Sequence, residues 1–202
     1  MVGTTGLSVG VAVFRGLRRS GATGPGPADL VTLTRALLSC AVAGLVADAP
    51  NRKPPAGPMF SLTAVALALD ALDGAVARRT DSATPFGARF DGEVDAFLIL
   101  TVSVQAARSF GPWVLGAGLA RYIFGAAGWA LPWLRRSLPP RYWRKVATAT
   151  EGIALAAALT DGWRWAPPHR VLAAGLVAGS ALIGESFGRD VWWLWRRRNQ
   201  VP

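Results

Sequence analysis

Residues 70–95 read DALDGAVARRTDSATPFGARFDGEVD. They hold two pairs of carboxylates, Asp70/Asp73 and Asp91/Asp95, at the three- and four-residue spacings that put side chains on one helix face. Apolar runs at 30–49 and 58–72 precede the stretch, and another continues from it to about residue 109. Ionisable groups beside segments fit for hydrocarbon are costly and mark a functional site with a partner. A turn-rich link, TDSATPFG, separates the two pairs, so the flanking helices are antiparallel neighbours and the four acids meet at one membrane face.

The rest of the composition agrees. Of 202 residues 51% are hydrophobic, and the long apolar runs leave little polar surface for water. The net charge of +10 comes from basic residues that punctuate apolar segments. That distribution fits membrane topology and anionic head groups, with no nucleic acid as partner. A lone Cys40 excludes an internal disulfide and a thiolate metal cluster. His169, also alone, follows Pro167 and Pro168 and is expected in a solvated loop.

In chain order, residues 1–28 form an N-terminal cytosolic segment. There Val11, Phe14 and Leu17 are placed to touch lipid while Arg15, Arg18 and Arg19 face head groups, as in an interfacial helix. Residues 29–198 form the membrane domain. Spans are predicted at about 30–49, 57–79, 88–109, 112–133 and 146–161, and from 171 through VWWLWRRR. The expected fold is therefore an all-α integral membrane protein of six transmembrane helices preceded by an interfacial helix. Lys and Arg are concentrated in the segments on the side of the acids and of both termini, which places these in the cytosol. The implied location is a bacterial plasma membrane.

Four carboxylates this close cannot all stay ionised without cations, and oxygen ligands of this kind suit Mg²⁺ or Mn²⁺. Two such ions would grip a diphosphate and stabilise the attacking and leaving oxygens of an in-line displacement. Gly74 and Ala77 keep the backbone open beside the acids, Gly87 admits a flat or phosphorylated group, and Arg78 is placed for a phosphate oxygen. Thr32, Thr34 and Arg35 make a polar corner at the start of the first span.

The string D70-A-L-D73-G74-A-V-A77-R78, eight residues, then G87-A-R-F-D91-G-E-V-D95 resembles the full signature of the CDP-alcohol phosphotransferases, DxxDGxxAR(x8)GxxxDxxxD. The preceding DLVTLTR is similar to the NxxTxxR found in the family's first span, with Asp29 in place of Asn. The resemblance implies transfer of a substituted phosphate from a CDP-linked donor, usually CDP-diacylglycerol, to an alcohol, with release of CMP. It implies Asp70, Asp73 and Asp91 as metal ligands, and Asp95 as both a ligand of the second metal and the general base. Gly74, Ala77, Arg78 and Gly87, with Thr34 and Arg35, would form the donor site, and the enzyme would be a homodimer.

The acceptor alcohol is less legible. Arg121, Lys145, Thr148 and Arg189 are candidates for holding it, a phosphorylated acceptor needing cationic partners. RKVATATE is partly similar to the GKxKTxxQ of glycerophosphate-using relatives, keeping Lys145 and Thr148 but with Ala147 for Lys and Glu151 for Gln. Glu93, Glu151 and Glu185 would instead favour a neutral or cationic acceptor, or simply pair with Arg121 and Arg189. Two other classes share the acids: a membrane prenyltransferase, whose NDxxDxxxD motif is missing, and a transporter with an acidic relay, which has no need of the Gly74, Arg78 and Gly87 spacing.

Overall fold

The computed structural model describes residues 27–49, 54–80, 85–136, 138 and 142–198, without the side chains of 27–29, 73–80, 85, 86, 88 and 89. The predicted interfacial helix at the N-terminus lies outside the described residues. Every described element is helical: α1 (Pro27–Ala47), α2 (Ala56–Thr80), α3 (Pro85–Phe110), α4 (Leu115–Ala130), α5 (Tyr142–Ala158) and α6 (His169–Arg196), with short 3₁₀ turns at Pro112–Val114 and Pro132–Arg135. The chain divides into two compact units, Met1–Val102 and Ser103–Pro202.

In the first unit, proline occupies the first position of α1, where its missing N–H costs nothing. The helix ends as the Asp48 N–H bonds to the Gly44 carbonyl at 2.9 Å, with Pro50 following in the sequence. Thr32, Arg35, Ala36, Ser39, Val42 and Val46 are buried and share one face. Met59, Thr63 and Ala66 form the matching stripe on α2, which packs against α1. Both stripes mix small and hydroxyl side chains with few large ones, so the helices approach closely. Ser39 Oγ donates to the Arg35 carbonyl at 2.8 Å, satisfying a hydroxyl that is otherwise shut from water.

In the second unit, Gly111 ends α3 at φ +96°, a left-handed conformation that favours glycine. The Trp113 indole N–H then caps the Phe110 carbonyl at 2.7 Å. Helices α5 and α6 are the unit's principal packed pair. They approach closely at Gly179, where an added Cβ would stand 3.1 Å from the Glu151 Cα. Gly179→Val is therefore expected to force the helices apart and to destabilise by about 1–3 kcal/mol. Gly175→Ala, whose Cβ would meet only the Ala154 Cβ at 4.0 Å, should be neutral. Thermal unfolding of the two variants in one detergent checks the contrast.

His169 is the first residue of α6, not a loop residue. Its ring stacks on Phe110 at 4.4 Å, and Nδ1 lies 3.1 Å from Asp161 Oδ1. Its position is fixed although the ring remains exposed to water.

Each of the six predicted spans coincides with a helix. By length and composition, however, only Leu30–Ala47 and His169–Arg196 are long and apolar enough to cross a membrane among the described residues. Ala56–Leu72 is a shorter apolar helical segment. The difference has physical causes. Glu93, Asp95 and Arg108 interrupt the apolar run of α3, while α4 and α5, at 16 and 17 residues, extend only about 25 Å against a hydrocarbon layer of about 30 Å.

Candidate active site

The site lies in the first unit and is built around Arg35. Near the start of α1, this side chain is 1% exposed. Its Nη2 lies 2.9 Å from Asp70 Oδ1, in the second half of α2. The same guanidinium pairs with Asp91 through Nη1 and with Asp95 through Nη2. Asp91 and Asp95 are one helical turn apart on α3 and so reach the arginine together. One carboxylate oxygen from each of the three aspartates lies within 4.8 Å of the others.

The charge balance suits a cation. Three carboxylates and one guanidinium leave two formal negative charges in a partly buried place, with Asp95 only 24% exposed. Hard oxygen donors at these separations match a Mg²⁺-type ion, whose opposite ligands stand about 4.2 Å apart. The arginine itself shows that the cluster accepts positive charge, so the residues fit a divalent metal.

The other predicted donor and metal residues are placed less fully. Asp73, Gly74, Ala77 and Arg78 lie on α2, but their side chains are outside the described ones. Gly87 is half-buried in α3, one turn before Asp91. Thr34 is exposed and donates to the Leu30 carbonyl of its own helix at 2.9 Å. Thr32, three residues before Arg35 and 5% exposed, shares the arginine's buried face instead.

The predicted acceptor residues all fall in the second unit. Arg121, on α4, is half-buried. Lys145 is exposed on α5, and the Thr148 hydroxyl donates to the Arg144 carbonyl at 3.0 Å. Arg189 pairs with Glu185, the alternative expected for it, and Glu185 also accepts the Trp143 indole N–H at 2.8 Å. Glu151 is fully buried, its Oε1 lying 3.4 Å from Ser180 Oγ.

The role of Arg35 as counter-charge to the acids is what sequence reasoning missed. The signal was present, because an arginine inside an apolar run needs an opposite charge at the same depth. Arg35→Gln is expected to leave the three acids repelling one another. The loss should be about 2 kcal/mol in chelator, reduced by the water that reaches the acids, and Mg²⁺ should restore much of it. Melting curves in chelator and in Mg²⁺ would measure the difference, and equal losses in the two would contradict this role.

The family profile described as CDP-alcohol phosphatidyltransferase matches residues 27–183, most of the chain and all of the acid cluster. The chain belongs to the CDP-alcohol phosphatidyltransferase family. No curated protein and no solved structure gave a significant match. CDP-alcohol phosphatidyltransferases are enzymes of phospholipid biosynthesis that transfer substituted phosphate groups from CDP-linked donors to alcohols. They generally depend on divalent metals, and they are typically integral to membranes. The two apolar helices and the acidic cluster agree with both properties.

Proposed function

We propose that this enzyme moves the phosphatidyl group of CDP-diacylglycerol to an alcohol and releases CMP, and that the reaction takes place at the aspartates of α2 and α3. The observation that carries this reading is the convergence of Asp70, Asp91 and Asp95 within 4.8 Å, from two helices, in a chain of this family. Asp70, Asp73, Asp91 and Asp95 would hold two Mg²⁺ or Mn²⁺ ions. Bound there, the ions supply charge for the diphosphate and acidify the acceptor hydroxyl.

The chain's own residues do the rest. Arg78 meets a phosphate oxygen of the donor, and Gly74, Ala77 and Gly87 leave room for its cytidine diphosphate part. Asp95 takes the acceptor's hydroxyl proton on a carboxylate oxygen. The acceptor oxygen forms a bond to the phosphorus that carries diacylglycerol. The bond from that phosphorus to the bridging oxygen breaks, and CMP leaves with the electron pair. Arg35, already paired with Asp95, holds that carboxylate in place and Thr34 lies beside it in sequence.

In this reading six helices span a bacterial plasma membrane as a homodimer, residues 29–198 being the catalytic domain, with the acids and both termini facing the cytosol. Arg121, Lys145, Thr148 and Arg189 serve the acceptor. A phosphorylated acceptor would compete with Glu185 for Arg189. The test is CMP release from CDP-diacylglycerol by the purified enzyme with Mg²⁺, scanned over glycerol 3-phosphate, inositol phosphate and serine. Release with one acceptor identifies the alcohol. Absence of CMP with every acceptor, alongside isoprenyl transfer or ion uptake, would overturn the proposal.

A further inference from the structure

The C-terminal end of α6 carries a group of arginines that the transfer reaction does not use. Arg196, Arg197 and Arg198 stack on Trp192, Trp193 and Trp195, with guanidinium carbons 3.6, 4.1 and 4.8 Å from the ring centroids. Arg136, which follows the 3₁₀ turn at Pro132–Arg135, donates to the carbonyls of Arg197 and Arg198. Four guanidinium groups thus gather at one helix end, where the unsatisfied carbonyls favour positive charge.

Among the described residues no carboxylate pairs with any of the four. The acids nearest in sequence have other partners, Glu185 with Arg189 and Trp143, and Asp190 with Arg144. Stacking uses the face of a guanidinium and leaves its in-plane N–H groups directed outward, the arrangement that grips phosphate oxygens. Trp192 and Trp195 are about half exposed, which adds an apolar shelf beside the charges. The helix that bears them is one of the two long and apolar enough to cross a membrane, and the arginines close it at the level expected of head groups.

We infer that this arginine–tryptophan cluster is a binding site for phospholipids with anionic head groups, chosen over zwitterionic ones. The phosphate and a second anionic or hydroxyl-rich group would meet the guanidinium edges, and the glycerol region would lie on the indoles. The inference does not rest on the reaction proposed above.

The test uses the full chain reconstituted in phosphatidylcholine bilayers. Either dibrominated phosphatidylcholine or dibrominated phosphatidylglycerol is added at equal fractions, and quenching of tryptophan fluorescence is read. The expected result is an association constant about fivefold higher for phosphatidylglycerol, the factor that one basic residue contributes near an anionic surface, declining as salt is raised. Replacing Arg136, Arg196, Arg197 and Arg198 together by Gln leaves every tryptophan in place and should reduce the two lipids to parity. Replacement by Lys should retain part of the preference, which separates lost charge from lost fold. Equal quenching by the two lipids in the unmodified chain would overturn the inference, as would an undiminished preference in the Gln variant. So would loss of the preference to inorganic phosphate but not to chloride of matched ionic strength, which would make the cluster a site for soluble anions.

Discussion

Asp95→Asn is expected to reduce transfer about 1,000-fold, in the range that removal of a general base costs, while CDP-diacylglycerol is still bound. The substitution preserves the shape of the side chain and its reach toward Arg35, but it removes the basic oxygen proposed to receive the acceptor's proton. Asp70 and Asp91 still flank the arginine in the variant, so the donor's diphosphate keeps most of its support. Turnover and retention of labelled donor, measured on the same preparation, separate the two effects. Near-normal turnover with Mg²⁺ would remove Asp95 from the role of base. Loss of donor retention in parallel with turnover would instead make it chiefly a binding residue.

Asp70→Asn should fail differently. Asp70 comes from α2, whereas Asp91 and Asp95 share α3, so its loss leaves the described cluster with ligands from one helix alone. With three carboxylates reduced to two and Arg35 retained, the formal charge of the cluster falls from two negative to one. Both the attraction for a divalent ion and the geometry that holds it are weakened. The Mg²⁺ concentration for half-maximal activity should rise by at least the roughly 10–100-fold that loss of a metal ligand's own hydrogen-bond partner costs. Metal-dependent donor binding should be lost with it. A Mg²⁺ titration of turnover and donor retention reads this, and an unchanged metal requirement would exclude Asp70 as a ligand.

The contrast between these variants depends on features of unequal legibility in the sequence. The first three helices were readable almost to their ends, because proline and glycine interrupt the apolar runs where the helices stop: predicted bounds of 57–79 and 88–109 became Ala56–Thr80 and Pro85–Phe110. The start of α5 was set too late, at 146 instead of Tyr142, since Arg144 and Lys145 read as loop charge. In the structure they continue the helix, and Arg144 reaches the buried Asp190 at 3.3 Å. That pairing joins residues far apart in sequence, which no local pattern encodes.

The acid cluster shows the same division. The Asp91/Asp95 spacing declared a shared face, and the short link from α2 to α3 declared that Asp70 would be near. The identity of the group between them was hidden, because Arg35 comes from 35 residues before Asp70 and is brought there by the packing of α1 on α2. A sequence pattern shows which charges need a partner; tertiary packing decides which partner each receives.

Arg35 also bears on the order in which this protein is made. Many small metal sites fold only as the ion arrives, because binding of the ion supplies the free energy that assembles its ligands. Here a permanently charged guanidinium is delivered to the acids by the chain itself. Bringing the three acids together therefore does not require an ion first. On this basis α1, α2 and α3 are expected to pack on one another in chelator as well as in Mg²⁺.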